Sequence, residues 1–269
     1  MPGRATGIDH AGVVVADMDA ATAPWSAAGF TLTPLARHEG PDGQPTGTGN
    51  RCAMLRSGYI ELLGVIDPAR PSRTIAAMLA RYEGVHVLSL ATDDIEAAQT
   101  RLARAGFPVD IAASSRPTDA GLARFERLPL TTLLPRLQLI RHLKPNLVWR
   151  EPDLHHPNHA VALEDIIIAA DPPAALAADL SRAAGLPIRP DRSEGYVLDL
   201  PSGRIRVLTS GSVTAEFPGI SLPPCPCVAA LVVRTDDANQ AVTALGIGTG
   251  VEGGRRAMVG QTAVLFRPG

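Results

Sequence analysis

One pattern comes round four times along this chain and limits what it can fold into. An apolar run ends at an Asp, an Ala-rich helical stretch follows, and a Gly-plus-apolar pair closes it. Two copies are clear: His10 to Asp17 followed by Ala20 to Gly29-Phe30, and Val87 to Asp94 followed by Ala97 to Gly106-Phe107. Weaker copies run from Asp165 through Asp171 to Gly185-Leu186, and from Val228 through Asp237 to Gly246-Ile247. A spacing of roughly 60 to 80 residues is too long for a solenoid unit and suits a supersecondary module repeated by duplication.

The order of elements within a module follows from local chemistry. In the first, the β-rich run Ile8 to Ala16 leads to Asp17 or Asp19, either of which can cap an Ala-rich helix ending at Gly29. Phe30 to Thr33 alternates like a strand, and Arg37 to Asn50 is so rich in Gly, Pro and Thr that it is expected to be a loop. Strands are expected over Arg51 to Leu55 and Tyr59 to Ile66, joined by a turn at Ser57-Gly58. The module therefore reads strand, helix, then three strands. A short helix over Thr74 to Arg81 links it to the second, whose last strand is Leu137 to Leu143 after a long stretch from Ile111 to Pro135. The Pro- and His-rich segment Lys144 to Asn158 is the best boundary, dividing the chain into 1–150 and 151–269. Beyond it, a helix starts at Pro172-Pro173, a hairpin turns at Pro201-Ser202-Gly203, and Ser210-Gly211-Ser212 is a turn.

A chain of 269 residues with 45% apolar and 19% charged residues buries a substantial core. Its formal charge of −2 supplies no basic field for nucleic acid or an anionic membrane. No apolar stretch reaches the ~20 residues of a membrane helix, and the first residues lack a secretory signal, which makes the cytoplasm the default. Cys52, Cys225 and Cys227 form no disulfide framework, and no second pair turns Cys225-Pro226-Cys227 into a zinc site. There is no GxGxxG after a strand, no Walker loop and no GxSxG nucleophile elbow.

The module order resembles the vicinal-oxygen-chelate superfamily, whose βαβββ modules pair into a cupped sheet around one metal. Arg37-His38, Gly47-Thr-Gly-Asn-Arg51, Tyr59-Ile-Glu-Leu-Leu-Gly-Val65, Arg141 to Trp149 and His156-Pro-Asn158 are more narrowly similar to the glyoxalase-like domain proteins of bacteria. That resemblance covers about residues 7 to 185. It implies an α+β fold of four βαβββ-like modules, paired into two glyoxalase/dihydroxybiphenyl-dioxygenase-like domains.

In the resembled pattern, metal ligands sit at the start of each module's first strand and inside its last strand. His10 and Glu61 hold these positions in the first module. An acid within an apolar strand is costly to bury unless paired or bound to a cation; the alternative is that Glu61 faces water from an edge. In the second module Val87 occupies the ligand slot. Its neighbour His86 belongs to the other strand face and reads as a packed histidine. His142 shares a face with Gln138 and Ile140 and is the candidate third ligand, or else a strand-end residue meeting solvent. His10, Glu61 and His142 would form a two-His-one-carboxylate set suited to Fe(II), while Zn with an open position fits equally and Mn, Ni and Co stay open. Glu61 is also the candidate catalytic residue, as ligand or proton acceptor. Arg37, His38, Asn50, Arg51 and Arg141 are candidate binders of a small carboxylate or carbonyl substrate, against a plain solvated role for each. Trp149 reads as packing between the two halves, and Pro157 and Asn158 disfavour a metal site at His155, His156 and His159. The C-terminal half offers Glu164 and Ala230 at its first-strand positions, and is expected to be structural.

The expected function is a metal-dependent enzyme acting on a small oxygenated metabolite, with lyase, isomerase or dioxygenase chemistry through an enolate-like or chelated intermediate. A metal-free binding or sequestering protein of the same fold is the rival reading. The expected partner is a small molecule, with neither nucleic acid nor membrane involved and homo-oligomerisation left open.

Overall fold

The computed structural model describes residues 2–40, 43–118, 121–237, 249–251 and 254–269. The first module comprises β1 (Gly7–Val14), α1 (Met18–Ala27), β2 (Ala36–Glu39), β3 (Pro45–Met54) and β4 (Tyr59–Val65). Helix α2 (Arg73–Leu79) leads to the second, β5 (Gly84–Ala91), α3 (Ile95–Arg104), β6 (Ala112–Thr118), β7 (Gly121–Leu130) and β8 (Arg136–His142). Together they make one sheet ordered β2-β3-β4-β1-β5-β8-β7-β6. β1 and β5 run antiparallel at the centre, each flanked by the parallel last strand of its own module. The edge strands β2 and β6 pack against each other, which curls the sheet into a cup.

The third module repeats the plan with β9 (Ala160–Ala169), α4 (Pro173–Ala184), β10 (Ile188–Pro190), β11 (Gly195–Asp199) and β12 (Arg204–Leu208). Helix α5 (Ser210–Glu216) follows, then β13 (Cys227–Thr235), β14 (Thr249–Val251), β15 (Gly254–Val259) and β16 (Thr262–Pro268). The second sheet has the matching order β10-β11-β12-β9-β13-β16-β15-β14. The helical stretch expected between Asp237 and Gly246-Ile247 lies mostly outside the described residues. No helix among the described residues is long and apolar enough to cross a membrane.

The repeated Asp is a helix cap in the first two modules. Asp17 accepts from the backbone N–H of Asp19 and Ala20, and Asp94 from that of Ala97, so orphan amide donors of α1 and α3 are satisfied. Three local expectations differ from the structure. Phe30 to Thr33 is not a strand: Thr31 bonds to His155 and His156, and the Thr33 hydroxyl takes the Cys52 N–H. The Gly-rich segment forms the β2–β3 hairpin instead, because its glycines allow tight turns and close approach; a Cβ on Gly49 would meet the Ala36 carbonyl oxygen at 2.7 Å. Ser210 to Ser212 begins α5, capped by the Thr209 hydroxyl, where its composition suggested a turn.

Helices α1, α3 and α4 cover the convex faces, where Trp25, Leu62, Leu88, Leu102, Ile166, Leu180 and Phe266 join one continuous core that spans both sheets. Each such side chain stabilises the fold by roughly 1.5–3 kcal/mol relative to exposure. Backbone bonds stitch the halves together, among them Leu163 N–H to Ser57 O at 2.9 Å and Ile8 N–H to Ser202 O at 3.0 Å. Asn158, fully buried, ties the chain after the first sheet to α1: its amide donates to Ala28 O at 2.8 Å and its oxygen accepts from Ala160 N–H at 3.1 Å. Asn158→Ala is expected to lower unfolding free energy by about 2 kcal/mol, because it leaves two buried groups unpaired. Urea unfolding measures this, and a change below about 0.5 kcal/mol would show that water takes over both bonds.

Candidate functional site

The site begins with an irregularity in β1. Ile8 pairs with Leu90 and His10 with Ser89, so Asp9 is the extra residue of a β-bulge. A bulge turns two successive side chains toward one side, where strict alternation would separate them. The Asp9 carboxylate therefore reaches both His10 Nδ1, at 2.6 Å, and His142 Nε2, at 3.0 Å. Burial alone would raise the Asp9 pKa, but hydrogen bonds and charge from His10 and His142 outweigh it and hold the carboxyl at about 2. With Nδ1 committed to Asp9, His10 Nε2 points inward, 2.7 Å from Ser89 Oγ and 3.7 Å from Glu61 Oε2. The His10 ring is stacked on Tyr59, centroids 4.5 Å apart.

Glu61 enters the same concave floor from β4. Asn50 on β3 donates to its Oε1 at 2.5 Å, and Arg116 on β6 donates to the Asn50 oxygen at 3.4 Å. Burial would raise the Glu61 pKa; His10, His38, Asn50 and Arg116 together lower it, so the side chain is a carboxylate at neutral pH. Gly12 leaves the space beside it, since a Cβ there would come 2.9 Å from Val87 Cβ and 3.6 Å from Glu61 Oε2. Gln138 closes the floor by donating to Ser89 Oγ at 2.6 Å. Above these groups is a cavity of about 430 Å³, within the range of small-molecule sites. Its apolar wall includes Leu63, Val87, Phe125 and Ile140.

The profile of the glyoxalase-like domain matches residues 8–184 of this sequence. The chain belongs to the glyoxalase-like domain family. The fold is shared with a hypothetical protein from Staphylococcus aureus, at 13% identity and a TM-score of 0.70, covering 97% of this chain and 99% of that one. A mutant of 4-hydroxymandelate synthase from Streptomyces coelicolor is similar over 98% of this chain and 92% of its own, at 14% identity and a TM-score of 0.61. The Mn(II)-bound glyoxalase from Novosphingobium aromaticivorans also shares the fold at 14% identity, with a TM-score of 0.58, 98% of this chain and 82% of that one being covered. No curated protein matches the chain in sequence. These likenesses establish a glyoxalase-like fold of the vicinal-oxygen-chelate type.

Within this glyoxalase-like cup, strand alternation sorts the candidate residues. His10, His38, Asn50 and Glu61 line the cavity; Arg37, Arg51 and Arg141 do not. Each of those arginines sits next to an inward residue and so projects from the other face. Arg51 reaches back to Thr33 O at 3.3 Å, and Arg141 is held by Glu126 and Glu96 at 2.6 and 3.0 Å. His142 Nε2 is turned to Asp9, away from Glu61, while its ring packs against Phe125 and Trp149. The triad of His10, Glu61 and His142 is therefore not assembled around one point. Among the described residues no group of three or more His, Cys, Asp or Glu side chains is arranged to hold an ion. Val87 lines the cavity, whereas His86 is bonded to Tyr82 O at 2.7 Å and stacked on the Tyr82 ring, outside the cup.

Several site residues were not singled out from the sequence. Gln138 pairs with Ser89 just as its strand partner Arg136 pairs with Val87, which makes Gln138 the second-module counterpart of Glu61. Counting two residues on from the partner of the ligand slot would have found it. Arg116, Arg127 and Arg136 also line the cavity, and no local signal marks them. Cys52 is no nucleophile: burial pushes its thiol up to about 12. In the second sheet the equivalent face is filled by Val213 of α5 and Phe217, which caps that helix, against Ile167, Val232 and Leu265. Arg206, third after its hairpin glycine as Glu61 is in the first module, is there paired with Asp191 and Glu216.

Proposed function

We propose that this protein is a metal-dependent enzyme acting on a small oxygenated metabolite in the N-terminal cup, with chemistry of the lyase, isomerase or dioxygenase class. The observation that carries the reading is the buried Asp9–His10 pair aiming Nε2 at the Glu61 carboxylate, 3.7 Å away, on the cavity floor. That separation is one that two ligands of a single ion, each at about 2.0–2.2 Å, can span. A carboxylate on the remote nitrogen of a histidine is also the usual outer support of a metal-binding imidazole. The donors present thus fit a divalent cation held by His10 and Glu61, with the Gln138 amide as a neutral third donor. When bound, such an ion supplies Lewis acidity toward a chelating substrate oxygen.

The chain's own groups do the rest. Asn50 and Arg116 keep Glu61 ionised and oriented, so it can ligate or accept a substrate proton. Burial, reinforced by the charges of Arg116 and Arg127, lowers the His38 pKa and keeps its imidazole neutral at pH 7, a second proton acceptor at the rim. Tyr59, whose pKa burial raises well above the ordinary value, stays a phenol. Leu63, Val87 and Phe125 keep water from the wall facing these groups.

A metal-free binding or sequestering role is the second reading. It is favoured by Val87 and Gln138, which leave the second module without a carboxylate or an imidazole among the described residues lining the cup. One measurement separates the two. Untagged protein stripped with chelator and titrated with Fe, Mn, Zn, Ni and Co is expected to take up about one ion per chain, and to regain none of it in the presence of excess chelator. Failure of all five metals to bind would leave the sequestering reading in place.

A further inference from the structure

The charges facing the cavity do not balance. Among its described lining residues, Arg116, Arg127 and Arg136 oppose only Glu39 and Glu61, three cations against two carboxylates. Arg116 is engaged, donating toward Asn50 and Cys52 beside Glu61. Arg127 and Arg136 are different. Neither has an ion-pair or hydrogen-bond partner among the described residues, and the buried Arg127 Nε has no acceptor. They project from neighbouring strands, β7 and β8, close enough that the charge of Arg127 adds to burial in lowering the pKa of Arg136. A buried unpaired donor is costly, and a like charge nearby adds to that cost. Among the described residues other partly buried arginines are ion-paired, as Arg206 is with Asp191 and Glu216, and Arg204 with Asp165, while Arg51, whose Nε is also unpartnered, lies outside the cavity and bonds Thr33 O. Arg127 and Arg136 stand apart in lining the same cavity with no acid among the described residues bonded to either.

We propose that the cavity takes a small organic acid, its carboxylate held between Arg127 and Arg136 and its second oxygen function directed to the floor formed by His10, Glu61 and Gln138. The proposal rests on reading this cavity as the active site, and names the class of substrate that site accepts. Guanidinium forks match a carboxylate in two-point contacts, and one bound carboxylate would cancel the excess charge. Leu63, Val87, Phe125 and Ile140 lie between the two ends and suit a short apolar body.

The test uses metal-stripped full-length protein, so that it is independent of whether the floor binds a metal. Binding of 3-phenylpropionate, 4-methyl-2-oxopentanoate, the neutral 3-phenylpropanamide and inorganic phosphate is followed by calorimetry and thermal shift. At least one carboxylate is expected to bind about tenfold more tightly than the amide, with affinity falling as salt rises. Arg127→Gln and Arg136→Gln should each remove that preference while near-UV circular dichroism stays unchanged. If either variant misfolds, Arg127→Lys, which keeps the charge and loses the fork, should weaken the carboxylate severalfold. Equal binding of carboxylate and amide, no carboxylate binding, or retention of the preference in the glutamine variants would overturn the proposal. Arg-dependent binding of phosphate in preference to both carboxylates would overturn it as well. Loss of metal uptake with carboxylate binding intact would defeat the metalloenzyme reading alone.

Discussion

Glu61→Ala is expected to weaken divalent-metal binding at least about a hundredfold, the loss of roughly 2.7 kcal/mol. Among the described residues Glu61 is the only anion that faces His10 Nε2 across the cavity floor, and Asn50 and Arg116 help to hold it ionised there. Its removal takes away the ligand set's negative charge and leaves Arg116 uncompensated. His142→Ala should cost far less, about tenfold or below, since His142 reaches the floor only by positioning Asp9, which in turn orients His10. Gln138→Ala, which removes a neutral donor, should fall between the two. Calorimetric titration of the three variants with Mn, Zn and Fe reads the order directly. Equal losses in Glu61→Ala and His142→Ala would place His142 on the metal, and unchanged affinity in Glu61→Ala would remove the proposed centre altogether.

Arg206→Ala is expected to destabilise the fold by about 3–5 kcal/mol, the usual cost of leaving a buried partner charge uncompensated. Arg206 occupies in the second sheet the position that Glu61 holds in the first, but its guanidinium is fully used. It bonds Asp191, 4% exposed, at 2.8 Å, and Glu216, 32% exposed, at 2.5 Å, tying α5 over the face that in the first sheet opens into the cavity. Burial would raise the Asp191 pKa, and Arg206 together with backbone N–H groups lowers it below 3.8. A carboxyl depressed in the folded state contributes stability that is present above its unfolded pKa and lost as pH falls through its folded value. The difference between wild type and Arg206→Ala should accordingly be full at pH 7 and shrink below about pH 4. Urea unfolding across that range checks both size and sign. A gap that is constant down to pH 2 would mean that packing of the Arg206 stem, and not its charge, carries the effect.

The two predictions concern one structural position used in opposite ways. In the first sheet the third residue after the hairpin glycine is an acid with room in front of it. In the second it is a cation locked into its own module and covered by apolar residues of α5. The sequence pattern placed Glu164 and Ala230 at the first-strand positions of the C-terminal half, but by strand register it is Asp165, opposite Arg204, that matches His10, opposite Tyr59. Glu164 is paired with Arg267 at 2.9 Å, Ala230 is buried, and the concave face is packed.

What the linear chain determined by itself is whatever depends on short-range periodicity. Alternating apolar runs, Ala-rich stretches, capping Asp residues and turn glycines recur at matching intervals, and they specify βαβββ-like modules because each signal acts within a few residues of its cause. The same alternation placed Val87 in the cup and His86 outside it. The tertiary structure decided what depends on irregularity and on distant strands. The bulge at Asp9 breaks the alternation from which strand faces are read, and so gives His10 and His142 a common carboxylate. Curling of the sheet brings β6 against β2, carrying Arg116 to Asn50 and Cys52, 66 and 64 positions away in sequence. Arg127 and Arg136 resemble any surface arginines in sequence. Only the closed cup, which holds them together without an acid between them, sets them apart. The physical reason is range: hydrogen-bond caps and strand periodicity are written locally, whereas burial, charge balance and the direction of a bulged side chain exist only once the sheet has closed.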